Sequence, residues 1–179
     1  MNTPAQKKKI EEVKKDLFSG DDSLVQKAIN YCREEGSAEL VEPLITVFAT
    51  TKNLHVKQEV GEMLSQLKVS NVEDAFMKAI KNPKYRHVRK QLLFFIWSSG
   101  IQPSNYLVQL TEIAIDGSYE EAVECLTIIE GLEDEIPESD ILEASTIARE
   151  YISRYKMDEK RFLVADILVA IEGRQEIEE

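Results

Sequence analysis

The chain has 179 residues, a length that suits one domain or one short array of repeats, and its hydrophobic content of 43% is ordinary for a folded protein. No run of 18 apolar residues is present, so the sequence predicts no membrane span. The N-terminal segment is basic but lacks the apolar core of a signal peptide, and we therefore expect a cytoplasmic protein. Cys32 and Cys125 lie in apolar, helix-like surroundings without a CxxC pair, which predicts two buried free thiols.

Charge is distributed unevenly along the chain. The formal net charge is −11, but residues 1–102 contain 16 basic and 13 acidic residues, whereas residues 103–179 contain 6 basic and 20 acidic residues. An acidic half repels phosphates and anionic lipid over roughly one Debye length, about 10 Å. The balance therefore disfavours nucleic acid and a membrane surface as partners, while ordinary solubility remains the simplest reason for the acidic half.

Apolar residues recur at three- and four-residue spacing through almost the whole chain, and no segment shows the sustained alternation of a strand. In the first part of the chain, Gly36 ends the second of four predicted helices and Ser37 precedes the third. These four helices cover residues 4–18, 22–35, 39–50 and 54–67.

Capping and breaking residues bound the three middle helices. Ser70 or Asn71 is expected to cap a helix that ends before Pro83. Gly100 ends the following helix, and Gly117 stops the one after it. The three helices cover residues 71–80, 84–99 and 104–115.

Three further helices complete the prediction. Ser118 caps the first of them, Pro137 starts the second, and Asp158 caps the third. They cover residues 119–130, 137–155 and 158–171.

The predicted helices repeat at a nearly constant period. The first helices of successive pairs begin near residues 38, 71, 104 and 138, and a period of this size is typical of stacked helical hairpins. The sequence therefore predicts an all-α fold, a right-handed α–α superhelical solenoid of about four to five antiparallel hairpins, and not a closed bundle. We expect a capping hairpin in residues 1–36, repeats in residues 37–69, 70–102, 103–136 and 137–173, and a polar tail in residues 174–179.

One inter-helix segment carries a family resemblance. Residues 81–92 read KNPKYRHVRKQL, and this stretch resembles the turn of a HEAT-type (armadillo-like) repeat, in which a polar turn precedes a second helix that opens with Val-Arg, here Val88-Arg89. Residues 52–60 resemble it with Lys57 in place of Arg, whereas the later repeats lack the pair, and the turn lacks the family's usual Asp. The resemblance implies a scaffold that presents a curved face of second helices to another macromolecule.

A window without acidic residues lies between Asp74 and Glu112, in the middle of the predicted array. On its second helix, His87, Lys90, Phe94 and Trp97 share one stripe at helical spacing, and Lys84 and Arg86 stand at its entrance. Two interpretations stay open. Phe94 and Trp97 form an exposed anchor for a protein or peptide, or the apolar run from residue 92 to residue 97 belongs to a helix buried on most sides. The candidate partner-binding residues are Lys84, Arg86, His87, Lys90, Phe94 and Trp97.

The basic residues of this window have several interpretations. They contact an acidic protein partner, they pair with the acidic half of a second copy in a salt-sensitive homodimer, or they form an ordinary solvated surface. Nucleic acid is disfavoured because the acidic half follows directly in the array.

The sequence contains no recognised catalytic motif. Its two histidines, His55 and His87, have no His or Cys at i+4, and no phosphate-binding, zinc-protease or nucleophile-elbow pattern occurs. We therefore expect no catalytic residue, no cofactor and no metal, and a non-catalytic protein–protein interaction scaffold is the favoured function. The alternatives are a nucleic-acid-processing enzyme or binder on the same array, or a self-associating structural protein.

Overall fold

The computed structural model describes residues 3–174, and this part of the chain is all-α, as the apolar periodicity predicts. Residues 3–174 contain ten α-helices and three short 3-10 segments, and no strand. The α-helices are α1 (Pro4–Leu17), α2 (Asp22–Glu35), α3 (Val41–Thr50), α4 (Leu54–Ser65), α5 (Glu73–Lys81), α6 (Arg89–Ser98), α7 (Leu107–Asp116), α8 (Tyr119–Glu130), α9 (Glu138–Arg154) and α10 (Lys160–Glu172).

The predicted cap at Ser118 forms as expected. At the start of α8 the Ser118 hydroxyl accepts the Glu121 N–H, and the Glu121 carboxylate accepts the Ser118 N–H, which together form a capping box. Asp158 accepts the Lys160 N–H at 2.9 Å, as expected of a cap for α10. The expected cap at Ser70 or Asn71 is wrong. Asn71 adopts a left-handed conformation with φ of 58°, and α5 begins only at Glu73 without a side-chain cap.

The predicted helix over residues 84–99 consists of two different helical segments. Pro83–Val88 form a 3-10 segment, and α6 begins at Arg89. The Tyr85 N–H donates to the Asn82 carbonyl at 2.9 Å, the i+3 bond of a 3-10 turn, and the Asn82 side chain accepts the Lys84 N–H at 3.0 Å. Asn82 therefore holds the following residues in a 3-10 turn, whereas the sequence pattern predicts that the α-helix already begins at residue 84.

The chain divides into two compact units. The boundary lies between Val88 and Arg89, inside the predicted repeat 70–102. In the first unit α1 packs on α2 and α3 packs on α4, while α3 also contacts α1 and α5, and α2 contacts α4. The segment Pro83–Val88 contacts α3 and α5. Apolar faces of these helices form the core, and its fully buried members include Ile29, Ile45, Val60, Leu64, Phe76 and Ile80.

The second unit has two layers of helices. Consecutive helices pack together, α7 with α8 and α9 with α10. Alternate helices also pack, because α8 contacts both α6 and α10, and α7 contacts α9. Helices α6, α8 and α10 thus form one layer, and α7 and α9 form the other. The fully buried side chains between them include Leu92, Leu107, Leu110, Cys125, Ile129 and Val164.

Several further predictions concern single residues and segments. Cys32 and Cys125 are both buried free thiols, which confirms the prediction. Within residues 3–174, no helix combines the length and the apolar character that crossing a membrane requires. The predicted polar tail 174–179 lies outside the described residues except for Arg174.

A polar clamp holds the turn between α9 and α10. The Tyr151 hydroxyl donates to the Asp158 carboxylate at 2.5 Å, and this bond is the main cause that lowers the pKa of Asp158. Burial, with the neighbouring carboxylate, raises the pKa of Tyr151. The Lys160 ammonium donates to the Gly117 carbonyl at 2.9 Å and so ties the start of α10 to the end of α7.

The clamp makes the stability of the second unit sensitive to acid. Because the folded state lowers the pKa of Asp158, the clamp stabilises the fold above an ordinary Asp pKa of about 4 and loses this contribution as the pH falls through the folded pKa. Tyr151→Phe is expected to lower the free energy of unfolding at pH 7, and the difference from wild type should shrink at pH 3. Urea titrations at both pH values measure this. Tyr155→Phe, on the exposed ring that stacks on Tyr151, is the matched control and should change neither value.

Candidate functional site

The six residues predicted to bind a partner lie in both compact units. Lys84, Arg86 and His87 belong to the 3-10 segment of the first unit, whereas the other three belong to α6 of the second. All six side chains are exposed. Each group is therefore described within its own unit.

The 3-10 segment is attached to α3 by its side chains. His87 Nε2 lies 2.9 Å from the Ala49 carbonyl, and the Tyr85 hydroxyl donates to Thr46 at 3.3 Å. His87 thus contacts α3. It also lies before the start of α6, so it does not share the α-helical stripe that the sequence predicts for it. Lys84 and Arg86 remain exposed cations on this segment.

The three residues of α6 do form one stripe. Lys90, Phe94 and Trp97 follow one another at i, i+4 and i+7 within a single α-helix. Phe94 is 37% exposed and Trp97 is 41% exposed, and their rings pack edge to face with centroids 5.0 Å apart. The apolar run is therefore buried on one side only, and its buried members are Leu92, Leu93, Phe95 and Ile96. This outcome favours the exposed-anchor interpretation.

Helix α8 fixes the orientation of the indole ring. The Trp97 Nε1–H donates to the Glu124 carboxylate at 2.6 Å, a charge-assisted hydrogen bond. Tyr119 and Val123, one turn apart on α8, are also exposed. The aromatic pair of α6 thus continues into apolar side chains on the next helix of the same layer.

Helix α10 extends this surface. Phe162 and Val169 are 72% and 69% exposed, and they lie on the same side of α10 at i and i+7. A groove of about 520 Å³ runs between α8 and α10, and its lining includes Leu126, Glu130, Asp166 and Val169. We call the exposed surface of this layer the α6–α8–α10 face, defined by Phe94, Trp97, Tyr119, Val123, Phe162 and Val169.

This part of the face was not predicted from the sequence. Helix α10 is apolar on nearly all sides, so its spacing does not distinguish exposed from buried positions. The signal that identifies Phe162 and Val169 as exposed is their angular position around the axis of α10, because both lie away from the stripe of side chains that fills the core. That stripe consists of Leu163, Val164, Ile167 and Ile171.

Acidic side chains border the α6–α8–α10 face. The sequence of the second unit, residues 89–179, contains 8 basic and 20 acidic residues. At the start of α8, hydrogen bonding to its own backbone and to Ser118 lowers the pKa of Glu120, and the nearby Lys90 ammonium adds to this effect. Because its pKa is lowered, Glu120 carries a negative charge at neutral pH. The carboxylates that border the face belong to Glu120, Glu124, Glu130 and Asp166.

A buried ion pair beneath the face joins α6 to α8. Arg89 Nε and Nη2 donate to the two carboxylate oxygens of Glu121 at 2.8 and 2.6 Å, and the two side chains are only 12% and 9% exposed. Hydrogen bonding to Glu121 raises the pKa of Arg89. This arginine is the one in the HEAT-like Val-Arg pair, and its carboxylate partner comes from a helix 32 residues further along the chain. The Ser118-x-x-Glu121 capping pattern is the sequence signal that points to this carboxylate.

The two cysteine thiols are both buried. Burial raises the pKa of the Cys32 thiol to about 11, and burial also raises the pKa of the Cys125 thiol. Neither thiol is therefore a thiolate nucleophile at neutral pH. Among residues 3–174, no group of three or more His, Cys, Asp or Glu side chains is arranged to hold a metal ion.

Comparison with known proteins adds no relative. No protein-family model matches the chain, and no curated protein and no solved structure matches it either.

Burial should decide how much each ion pair contributes to stability. Arg89→Met leaves Glu121 buried without its partner, and the expected loss in the free energy of unfolding is about 3 kcal/mol. The control is Lys78→Met, which removes an equally short but exposed contact to Glu42 at 2.6 Å and should cost less than about 1 kcal/mol. Urea titrations measure both losses. Equal losses would contradict the assigned role of burial.

Gly117 stands where a side chain would disturb the same pair. A Cβ at this position would lie 2.6 Å from the Ile113 carbonyl oxygen and 2.6 Å from the Glu121 carboxylate. Gly117→Ala is therefore expected to lower the free energy of unfolding by about 2 kcal/mol. Gly20→Ala is the control, since nothing lies within 4 Å of its Cβ position, and the expected change is within about 0.5 kcal/mol.

Proposed function

We propose that this chain is a non-catalytic protein-binding scaffold, a right-handed HEAT-like solenoid of four to five helical hairpins that holds a protein or peptide on its α6–α8–α10 face. The observation that carries the proposal is the exposed Phe94–Trp97 pair, whose indole is held in place by Glu124.

Contacts between helices one repeat apart support the array. Arg89 pairs with Glu121 at a separation of 32 residues, and Gln26 donates to Glu59 at a separation of 33 residues. The separations of 32 and 33 residues are close to the predicted period of 33 to 34 residues. In each unit, alternate helices pack together as they do in stacked hairpins.

Exposed aromatic side chains support binding as the activity. Trp and Tyr are enriched among the residues that contribute most to protein–protein affinity, and large exposed apolar patches mark interaction surfaces. Trp97 is already fixed by a ring contact and a hydrogen bond. Because its rotamer is fixed before a partner arrives, binding loses less side-chain entropy.

A capture experiment tests the proposal. The immobilised chain captures proteins from a lysate of the organism that encodes it, and the double variant Phe94→Ser/Trp97→Ser is expected to reduce capture of the specific partner at least about tenfold, as loss of two aromatic anchors implies. The matched control is Leu142→Ser/Met157→Ser, which removes two exposed apolar side chains elsewhere in the same unit. Quantitative mass spectrometry of the captured proteins gives the ratio.

Equal capture by the Phe94/Trp97 variant and the wild type would refute this site. A further variant, Lys84→Glu/Arg86→Glu, tests the acidic partner that the basic window predicts, because charge reversal would abolish capture of such a partner. Captured nucleic acid that is lost on this charge reversal would favour the alternative of a nucleic-acid-binding array.

A further inference from the structure

We infer that the partner of the α6–α8–α10 face is a basic amphipathic helix, which lays its apolar side along the groove between α8 and α10 and pairs its cations with the acidic border. This inference rests on the proposed function and names the chemical class of the partner.

The apolar part of the inference comes from α10. A helix that is apolar on nearly all sides is normally buried. Phe162 and Val169 are instead among the most exposed large apolar side chains of the described residues. Val169 lines the groove, and the exposure of both side chains indicates a surface that a partner covers.

The shape of the groove fits a helix. It lies between two packed helices, and Leu126 of α8 and Val169 of α10 give it an apolar lining. A third helix fits such a groove with side chains at i, i+3, i+4 and i+7, at the usual interaxial distance of about 8–10 Å.

Charge selects a basic partner. Glu130 and Asp166 line the groove, and Glu120 and Glu124 lie further along α8. Among the residues that the structure describes, Arg174 is the only cation in the lining, and it donates to the Ile129 carbonyl at 2.5 Å at the end of α8. Cations also lie on this face, because Lys90 is exposed on α6 and the Arg161 guanidinium lies 6.0 Å from the centre of the Phe162 ring. Carboxylates from both helices line the groove itself, and Lys or Arg residues that flank an apolar stripe complement them.

Three synthetic peptides with one shared apolar side test the inference. Each is an 18-residue amphipathic helix labelled with fluorescein, and the polar positions are all Lys, all Gln or all Glu. Fluorescence anisotropy with the full chain should show the Lys peptide binding at least about tenfold more tightly than the Gln peptide, and the Glu peptide more weakly still. A Lys peptide whose apolar side is replaced by Ser controls for general attraction to an acidic protein and should bind at least about tenfold more weakly than the intact one.

Variants place the peptide on the groove. Phe162→Ser/Val169→Ser keeps the net charge and should reduce affinity for the Lys peptide at least about tenfold, whereas Leu142→Ser/Met157→Ser should leave it unchanged. Glu130→Lys/Asp166→Lys should invert the preference so that the Glu peptide binds more tightly than the Lys peptide. Circular dichroism checks that each variant keeps its helical content. The charge variant alone decides the outcome if the serine variant fails to fold.

Three outcomes would overturn the inference. Equal affinity for the three peptides, or tighter binding of the Glu peptide to the wild type, removes the basic partner while leaving the capture result on Phe94 and Trp97 as an independent measure of the proposed function. Absence of peptide binding removes the helical partner in the same way. A concentration-dependent dimer that Phe162→Ser/Val169→Ser dissolves, seen by sedimentation, would assign the face to a second copy of the chain.

Discussion

The bidentate contact between Arg89 and Glu121 connects three levels of organisation in the second unit. Glu121 completes the capping box of α8 with Ser118, and the same carboxylate receives both guanidinium bonds from the first residue of α6. A desolvated charge is tolerated only when it is paired and hydrogen-bonded, so the start of α6 has one favourable position against the start of α8. The glycine before Ser118 leaves the space that this carboxylate occupies. The relative placement of Phe94, Trp97 and Glu124 on the surface depends on this buried pair.

The two-layer arrangement explains why apolar side chains remain on the surface. Helix α8 packs against α7, helix α10 packs against α9 and α7, and within the layer α8 contacts both α6 and α10. A helix in such a layer has one side left, and in an isolated protein that side is normally polar. Here it carries Phe94, Val123 and Phe162, with carboxylates at the border. Apolar contact area and an acidic border together give a surface that distinguishes among partners, since the first supplies affinity and the second disfavours partners of like charge.

Much of the fold can be predicted from the sequence, because the signals for each helix lie within that helix or directly beside it. Apolar spacing and caps predict the ten helices of residues 3–174, and the helix spacing places Phe94 and Trp97 on a different stripe from Phe95 and Ile96. The 3-10 start at Pro83 was not predicted, because it depends on the Asn82 turn and on docking of Tyr85 and His87 against α3. The partner of Arg89 and the exposed side of α10 depend on contacts between distant segments. No single-segment pattern contains that information, although the capping pattern at Ser118 indicates which carboxylate is held in place.

The contacts that its cations make in the structure change the interpretation of the acid-free window. Arg89 forms an ion pair with Glu121 inside the second unit. Lys78 contacts Glu42 on a neighbouring helix, and His87 contacts a backbone carbonyl. The window therefore supplies cations to carboxylates that lie outside it, and an acid inside it would compete for Arg89. On the α6–α8–α10 face, a partner meets the carboxylates of α8 and α10. Their charge is opposite in sign to the charge that the acid-free window alone predicts for the binding surface.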